Sequence, residues 1–365
     1  MTKVRLLAIG GVALLSASRV PYSLAQTNPT TFKVIYDFGN NSMTSNPYGG
    51  LAQSRAGYIY GRTEPQLSGG GAPDTAYRIT PAGQITVLPV TVPGFDVGDA
   101  GFTLMPDGDF YSTDLGTLFK MTGEGDVTTL GTELFVVALP ILGIDGNLYG
   151  TSNYPSSKVY RLRPSGAFTV LHTFEATEGV DPGPLIQGTD GYFYGVALRG
   201  GNNDNGTIFK MDYLGNLTVL FRFDGSNGSN PVGPLVQGSD GDFYGTTGFS
   251  SGGSSVIFKV TPHGAFQVLH YINSNDYLGD ALVQATDGNF YGITAAGTTF
   301  CGTLFRMTPT GVYTTLYTFP GGDAPDGCGP TYGLLQHTNG ILYGTAEWCG
   351  TPPPYCEGPG FAITC

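Results

Sequence analysis

The residues of this chain that could do chemistry are spaced in ways that sort them by role. Gln53, Gln187, Gln237, Gln284 and Gln336 recur at one position of a repeated pattern. A few residues on stand Asp107, Asp145, Asp190, Asp240 and Asp287, several with Asp109, Asn147, Asp242 or Asn289 two places later. The glutamines read two ways, as a polar ring lining a channel or as amides that hydrogen-bond neighbouring repeats. The second supplies partners to backbone groups that tight strands would otherwise leave unpaired. The acids could hold calcium in an oxygen cage, but aspartate before glycine is also what a tight hairpin turn requires, and no metal site is expected. Paired carboxylates such as Glu64 and Glu347, on adjacent repeats if a ring closes, could act as acid and base on a glycosidic bond.

The five cysteines, Cys301, Cys328, Cys349, Cys356 and Cys365, crowd the end of the chain. Two disulfides, Cys301 with Cys328 and Cys349 with Cys356, would leave Cys365 over. Zinc is the rival reading, with no CxxC pair or nearby histidine behind it. By register His172 and His270 fall on outer strands, and His263 and His337 at regular turns. A serine hydrolase or an imidazole-dependent lyase needs a histidine beside the reacting atom, so both are demoted.

A hairpin must position all of these. GYIYGRT (57–63), DGDFYST (107–113), DGNLYGT (145–151), DGYFYGV (190–196), DGDFYGT from Asp240, DGNFYGI (287–293) and NGILYGT (339–345) recur roughly every 47 residues, the mark of a repeat architecture. In the fifth copy strand a is 233–237, b is 243–247, c is 256–261 and d is 266–271. Four antiparallel strands in seven copies predict an all-β, seven-bladed β-propeller, whose closure protects sheet edges. The seventh copy has a c-like stretch at 361–364 and no strand d after it, while 31–38 matches the d pattern of 217–224. The N-terminal strand is therefore expected to close the last blade. The a–b and c–d turns are nearly constant in length, and the b–c and d–a connections vary. Function is expected on the variable face, where a rigid scaffold carries irregular loops. Its binding candidates are Arg62, Tyr154, Arg199, Tyr277, Phe300 and Trp348, the single tryptophan.

Bulk composition agrees with a strand-and-turn chain: 58 glycines and 25 prolines in 365 residues, with only 12% charged. The net charge of −12 reflects only 16 lysines and arginines, too few to neutralise a run of phosphates, so nucleic acid is excluded as a partner. Lys3 and Arg5, an apolar run of about twelve residues and Ser23-Leu24-Ala25 read as an export leader cleaved after Ala25. Residues 26–365 are then one secreted domain with no membrane span, expected as a monomer without cofactor.

The combination of strand a ending in LxQ, the DGxFYGT turn, a GTxFKxTPxG strand and turn, and a TTLYTF strand resembles the GloVer tandem-repeat family of exported bacterial proteins. The likeness covers 31–364, best in copies four to six, and weakens in copies two and three, where Leu104 and Leu142 replace the glutamine. It implies a propeller and an exported location, and no reaction. The expected function is a binding or interaction scaffold for a neutral glycan, held by ring stacking and polar groups, or for a cell-surface protein. The alternative is a polysaccharide-active hydrolase or lyase using the loop carboxylates.

Overall fold

The turn seeds each unit. In the fifth repeat Asp240 Oδ1 accepts from the Asp242 N–H at 3.2 Å, Gly241 takes a φ of 88°, and Gly241 N–H bonds to Gly238 O at 2.9 Å. A left-handed residue at this place is what reverses the chain in two steps. Four antiparallel strands grow from such turns: Pro231–Gln237, Phe243–Thr247, Val256–Val260 and Phe266–Tyr271, strands a to d from the inside outward.

The computed structural model describes residues 5–10, 31–37, 46–64, 75–80, 82–88, 102–105, 108–114, 117–131, 138–153, 155–163, 166–248, 255–272, 276–278, 281–296, 302–319, 324–330 and 333–350. Among the described residues there is no helix, and the strands form seven antiparallel sheets, four of four strands and three of five. The fold is a β-propeller of four-stranded antiparallel blades. Six blades are each built from consecutive strands, and the remaining sheet is composite.

Blades are joined through strand b. Phe243 and Tyr244 are neighbours, so the pleat turns them to opposite sides. Phe243 stacks on Tyr194 of the fourth blade with ring centroids 3.9 Å apart, and Tyr244 on Phe290 of the sixth at 4.0 Å. The same Tyr-to-Phe contact joins Tyr149 to Phe193 and Tyr60 to Phe110, both at 4.2 Å. These rings are buried, and each is worth about 1.5–3 kcal/mol on apolar area. The glycine after the tyrosine makes room for the strand c ring: a Cβ on Gly245 would stand 2.5 Å from Phe258 Cζ, and one on Gly292 2.4 Å from Phe305 Cζ.

The composite sheet departs from the expected closure in one strand. Thr31–Asp37 lies at its edge, and Ala324–Pro330, Leu335–Gln336 and Leu342–Gly350 complete the other side. The place between Leu342–Gly350 and Thr31–Asp37 is taken by Arg5–Gly10, part of the segment read as an export leader, and not by 361–364, which lie outside the described residues. The physical reason is backbone pairing. Two facing strand edges present unpaired N–H and C=O groups, and an apolar stretch such as 6–9 can bond to both.

The seam between this sheet and the first blade is also bonded. Thr338 N–H donates to Gln53 Oε1 at 3.0 Å. His337 is buried and uses both ring nitrogens: Nδ1 accepts from Asn339 N–H at 3.0 Å, and Nε2 donates to Gly57 O at 2.9 Å. The equivalent residues in the other copies are Ser54, Met105, Gly143, Gly188, Gly238 and Ala285.

Two glycines of one hairpin separate backbone strain from packing. At Gly241 a Cβ meets nothing within 4 Å, so Gly241→Ala should cost only the left-handed strain, about 1–2 kcal/mol. At Gly245 the buried rings cannot yield, and Gly245→Ala should cost about 3 kcal/mol, the upper end of overpacking. Urea unfolding of both variants checks this, and equal losses would show that the Phe258 contact does not set the cost.

Candidate functional site

Each repeat glutamine ends an inner strand and reaches back to the preceding blade. Gln237 Oε1 accepts from Thr189 N–H at 2.9 Å, while its Nε2 donates to Thr189 Oγ1 at 3.2 Å and to Gly241 O of its own turn at 3.1 Å. Gln284 does the same with Ser239 and Gly288, and Gln336 with Thr286 and Gly340. Gln187 takes Ile144 N–H and Gly191 O, and Gln53 takes the Thr338 N–H and hydroxyl. Of the two readings of these glutamines, the structure has the amide between blades.

The repeated aspartates bond within the same turns. Tyr244 OH donates to Asp240 Oδ2 at 2.8 Å, as do Tyr149 to Asp145 and Tyr194 to Asp190 at 2.7 Å and Tyr291 to Asp287 at 2.8 Å. Lys259 pairs with both Asp240 and Asp242, at 2.8 and 2.7 Å. Burial pushes the Asp240 carboxyl up, but hydrogen bonds from Lys259 and Tyr244 together outweigh it and hold the group below its ordinary value. Asp145 shifts the same way, with Tyr149 and Asn147 opposing burial. Burial first, and then the bond to Asp240, push the Tyr244 phenol up to about 12.

The opposite ends of the strands are irregular. Arg199 closes strand b of the fourth blade, Phe193–Arg199, and its half-exposed guanidinium grips Asp181 through Nε at 2.8 Å and through Nη2. That bond, made first by hydrogen bonding and then by charge, raises Arg199 further above its ordinary value. Asp181 sits at a φ of 55°, its N–H donating to Ser157 Oγ of the third blade at 3.0 Å. Asp204 (φ 56°) accepts from Gly200 N–H at 2.7 Å, and Asn230 (φ 52°) accepts from Gly248 N–H at 2.8 Å. His172 lies between Glu178 Oε2 at 2.9 Å and Gly215 O at 3.1 Å.

The residues proposed from sequence divide as follows. Arg62 is not on the variable face. It is buried on strand b of the first blade, Ile59–Glu64, with Nη1 donating to Ser112 Oγ of the second blade at 3.4 Å. Arg199 is exposed but paired. Tyr277 lies on Asp276–Leu278 opposite Ala295. Trp348 lies on Leu342–Gly350 opposite Cys328, and Cys349 follows it. Glu64 and Glu347 each stand five residues into strand b, of the first blade and the composite sheet, which the Gln53–Thr338 bond joins. Tyr154, Phe300, Cys301, Cys356 and Cys365 lie outside the described residues. Sequence reasoning missed Asp181, Asp204 and Asn230. Their only trace was that each stands where a loop leaves the repeat pattern. Chemically, this face offers fixed carboxylates and carbonyls, with neither named arginine open to an anion.

Residues 136–352 match a family model described as the Gloeobacter/Verrucomicrobia repeat. No curated protein matches the chain in sequence. Among solved structures, the fold is similar to a streptogramin B lyase (TM-score 0.63, 14% identity, covering 85% of this chain and 96% of that one). It is also similar to a catalytically inactive histidine-to-alanine variant of virginiamycin B lyase from Staphylococcus aureus with quinupristin (TM-score 0.60, 15% identity, covering 84% and 96%). An oligogalacturonate lyase in complex with manganese is similar as well (TM-score 0.55, 13% identity, covering 95% and 98%). At these identities the likeness is one of fold.

The turn chemistry makes two predictions. Gln237→Leu strands the Thr189 N–H, and denaturant unfolding should show a loss of about 1–3 kcal/mol. Asp240 is held below its ordinary 3.8 in the folded state, so its stabilisation is complete above that value and disappears as pH falls through the lower folded one. The stability gap between the wild type and Asp240→Asn, followed by unfolding from pH 7 to pH 2, should therefore close only below about pH 4.

Proposed function

The chain belongs to the Gloeobacter/Verrucomicrobia repeat family, and on that footing we propose that it is an exported binding scaffold whose ligand, a neutral glycan or a cell-surface protein, docks on the irregular ends of the b strands and their loops. In this reading residues 1–25 are removed after Ala25, and 26–365 act as one monomeric domain. The composite sheet serves as a seventh blade, and the disulfides Cys301–Cys328 and Cys349–Cys356 tie the loops of the last two repeats.

One observation carries it, the asymmetry between the two faces. On the hairpin face the same hydrogen bonds recur from repeat to repeat and consume the glutamine amides and aspartate carboxylates. On the other, Asp181, Asp204 and Asn230 hold left-handed backbone that costs about 1–3 kcal/mol each and persists where a surface shape is being maintained. A preformed rim of this kind binds with little ordering cost. A neutral ligand is favoured because the chain carries a charge of −12 while Arg62 is buried and Arg199 is already neutralised.

The enzyme reading is supported by the equivalent placement of Glu64 and Glu347 on joined sheets. The lyase of similar fold is inactivated by replacing a histidine. The four histidines here lie on outer strands or in regular turns, which speaks against that chemistry.

Binding on a glycan array and to cell-envelope fractions tests the proposal. Trp348→Ala should weaken binding about thirtyfold, roughly the 2 kcal/mol of an aromatic anchor, with the melting temperature unchanged. No binding to any array member or envelope fraction would sink it, and product formation lost in Glu347→Gln would replace it with the enzyme reading.

A further inference from the structure

Six blades share a contact for which the composite sheet supplies only half the residues. In each, the third residue of strand b lies opposite an aromatic of strand c: Tyr77, Phe119, Tyr160, Phe209, Phe258 or Phe305. A leucine of strand a backs the same spot. Leu235 Cδ2 would be 2.8 Å from a Cβ on Gly245, and Leu282 Cδ2 3.0 Å from one on Gly292. The composite sheet keeps both receiving groups, with Leu334 Cδ2 2.9 Å from a Cβ on Gly344. The residue in register opposite Gly344 is Leu7 of Arg5–Gly10. No aromatic is brought to that position.

A second segment of the chain fits better. Phe361-Ala362-Ile363-Thr364 repeats the pattern of Phe258-Lys259-Val260-Thr261, with the aromatic, the apolar residue and the threonine at the same spacing. Leu7-Ala8-Ile9-Gly10 repeats only the middle of it. The connection is long enough: residues 248–255 join strands b and c in the fifth blade, and 351–360 are at least as many.

We propose that the slot between Leu342–Gly350 and Thr31–Asp37 receives two segments of this chain in turn. Arg5–Gly10 holds it while the leader is attached, and 361–364 take it after processing, with Phe361 opposite Gly344. The inference rests on the export reading. Processing is hydrolysis of the Ala25–Gln26 peptide bond by water under an export peptidase. It turns Arg5–Gly10 from a tethered strand into a separate peptide and removes its effective concentration, while 361–364 stay tethered through 351–360. The leader is thereby a placeholder that keeps both strand edges paired until the chain's own strand replaces it.

The test uses the full chain with a protease site placed between Ala25 and Gln26 and a photo-crosslinking benzoylphenylalanine at 361. After cleavage and removal of the leader peptide, irradiation should cross-link 361 to a peptide within 334–346, and before cleavage it should not. No such cross-link in the cleaved chain, or an equal one before cleavage, would overturn the exchange. Phe361→Ala should lower the melting temperature of the cleaved chain by about 5 °C and leave that of the uncleaved chain unchanged. An equal drop in both forms would also overturn it. The N-terminal mass of protein recovered from the medium separates the two failures. A chain still beginning at Met1 defeats the export reading, and one beginning at Gln26 without the cross-link defeats the exchange.

Discussion

A single side-chain amide couples one blade to the next. A hairpin turn at the inner rim of a propeller exposes an N–H toward its neighbour, and without an acceptor that donor would be left unpaired. Gln237 provides the acceptor for the blade behind it and donors for its own turn, so one residue fixes both the turn and the angle between blades. The second and third copies show what replaces it. Leu104 packs against the cluster of Tyr60 and Phe110, and Leu142 against Met105, Leu118 and Leu148. The ring thus contains two kinds of seam, one hydrogen-bonded and one apolar, at equivalent positions. Replacing both a donor and its acceptor by apolar surface can be nearly neutral, which lets the two kinds coexist.

The aromatic stacks divide the labour of strand b in the same way. Alternation along four residues sends phenylalanine backward, tyrosine forward, and leaves glycine under the next strand's ring. Every polar group the motif carries is then committed to the scaffold. Freedom to vary survives at the far ends of strand b, and there the backbone takes the conformations that Asp181, Asp204 and Asn230 hold.

Much of this was legible beforehand because the repeat supplies its own controls. Six copies of a hairpin fix register wherever one is ambiguous, and strand positions in the fifth repeat fell within a residue or two of those read from alternation. Arg62 was misplaced for a reason the sequence also contained. It stands two residues after Tyr60, so the pleat turns both toward the second blade, where Ser112 in place of the usual glycine offers it a hydroxyl. Placing it among loop residues ignored that period. The occupancy of the last sheet was not legible, because two stretches of one chain carry similar apolar patterns and backbone pairing is indifferent to which supplies it.

A ring assembled from interchangeable parts has no built-in count, since any copy could meet the first across the same amide and the same stack. The buried imidazole of His337 ends that equivalence. Only this copy carries a ring that reaches the Gly57 carbonyl while its other nitrogen is held by Asn339. The contact therefore works as a key to arithmetic: it names which repeat may stand next to the beginning of the chain. A duplication or loss of an internal copy could be absorbed without disturbing it.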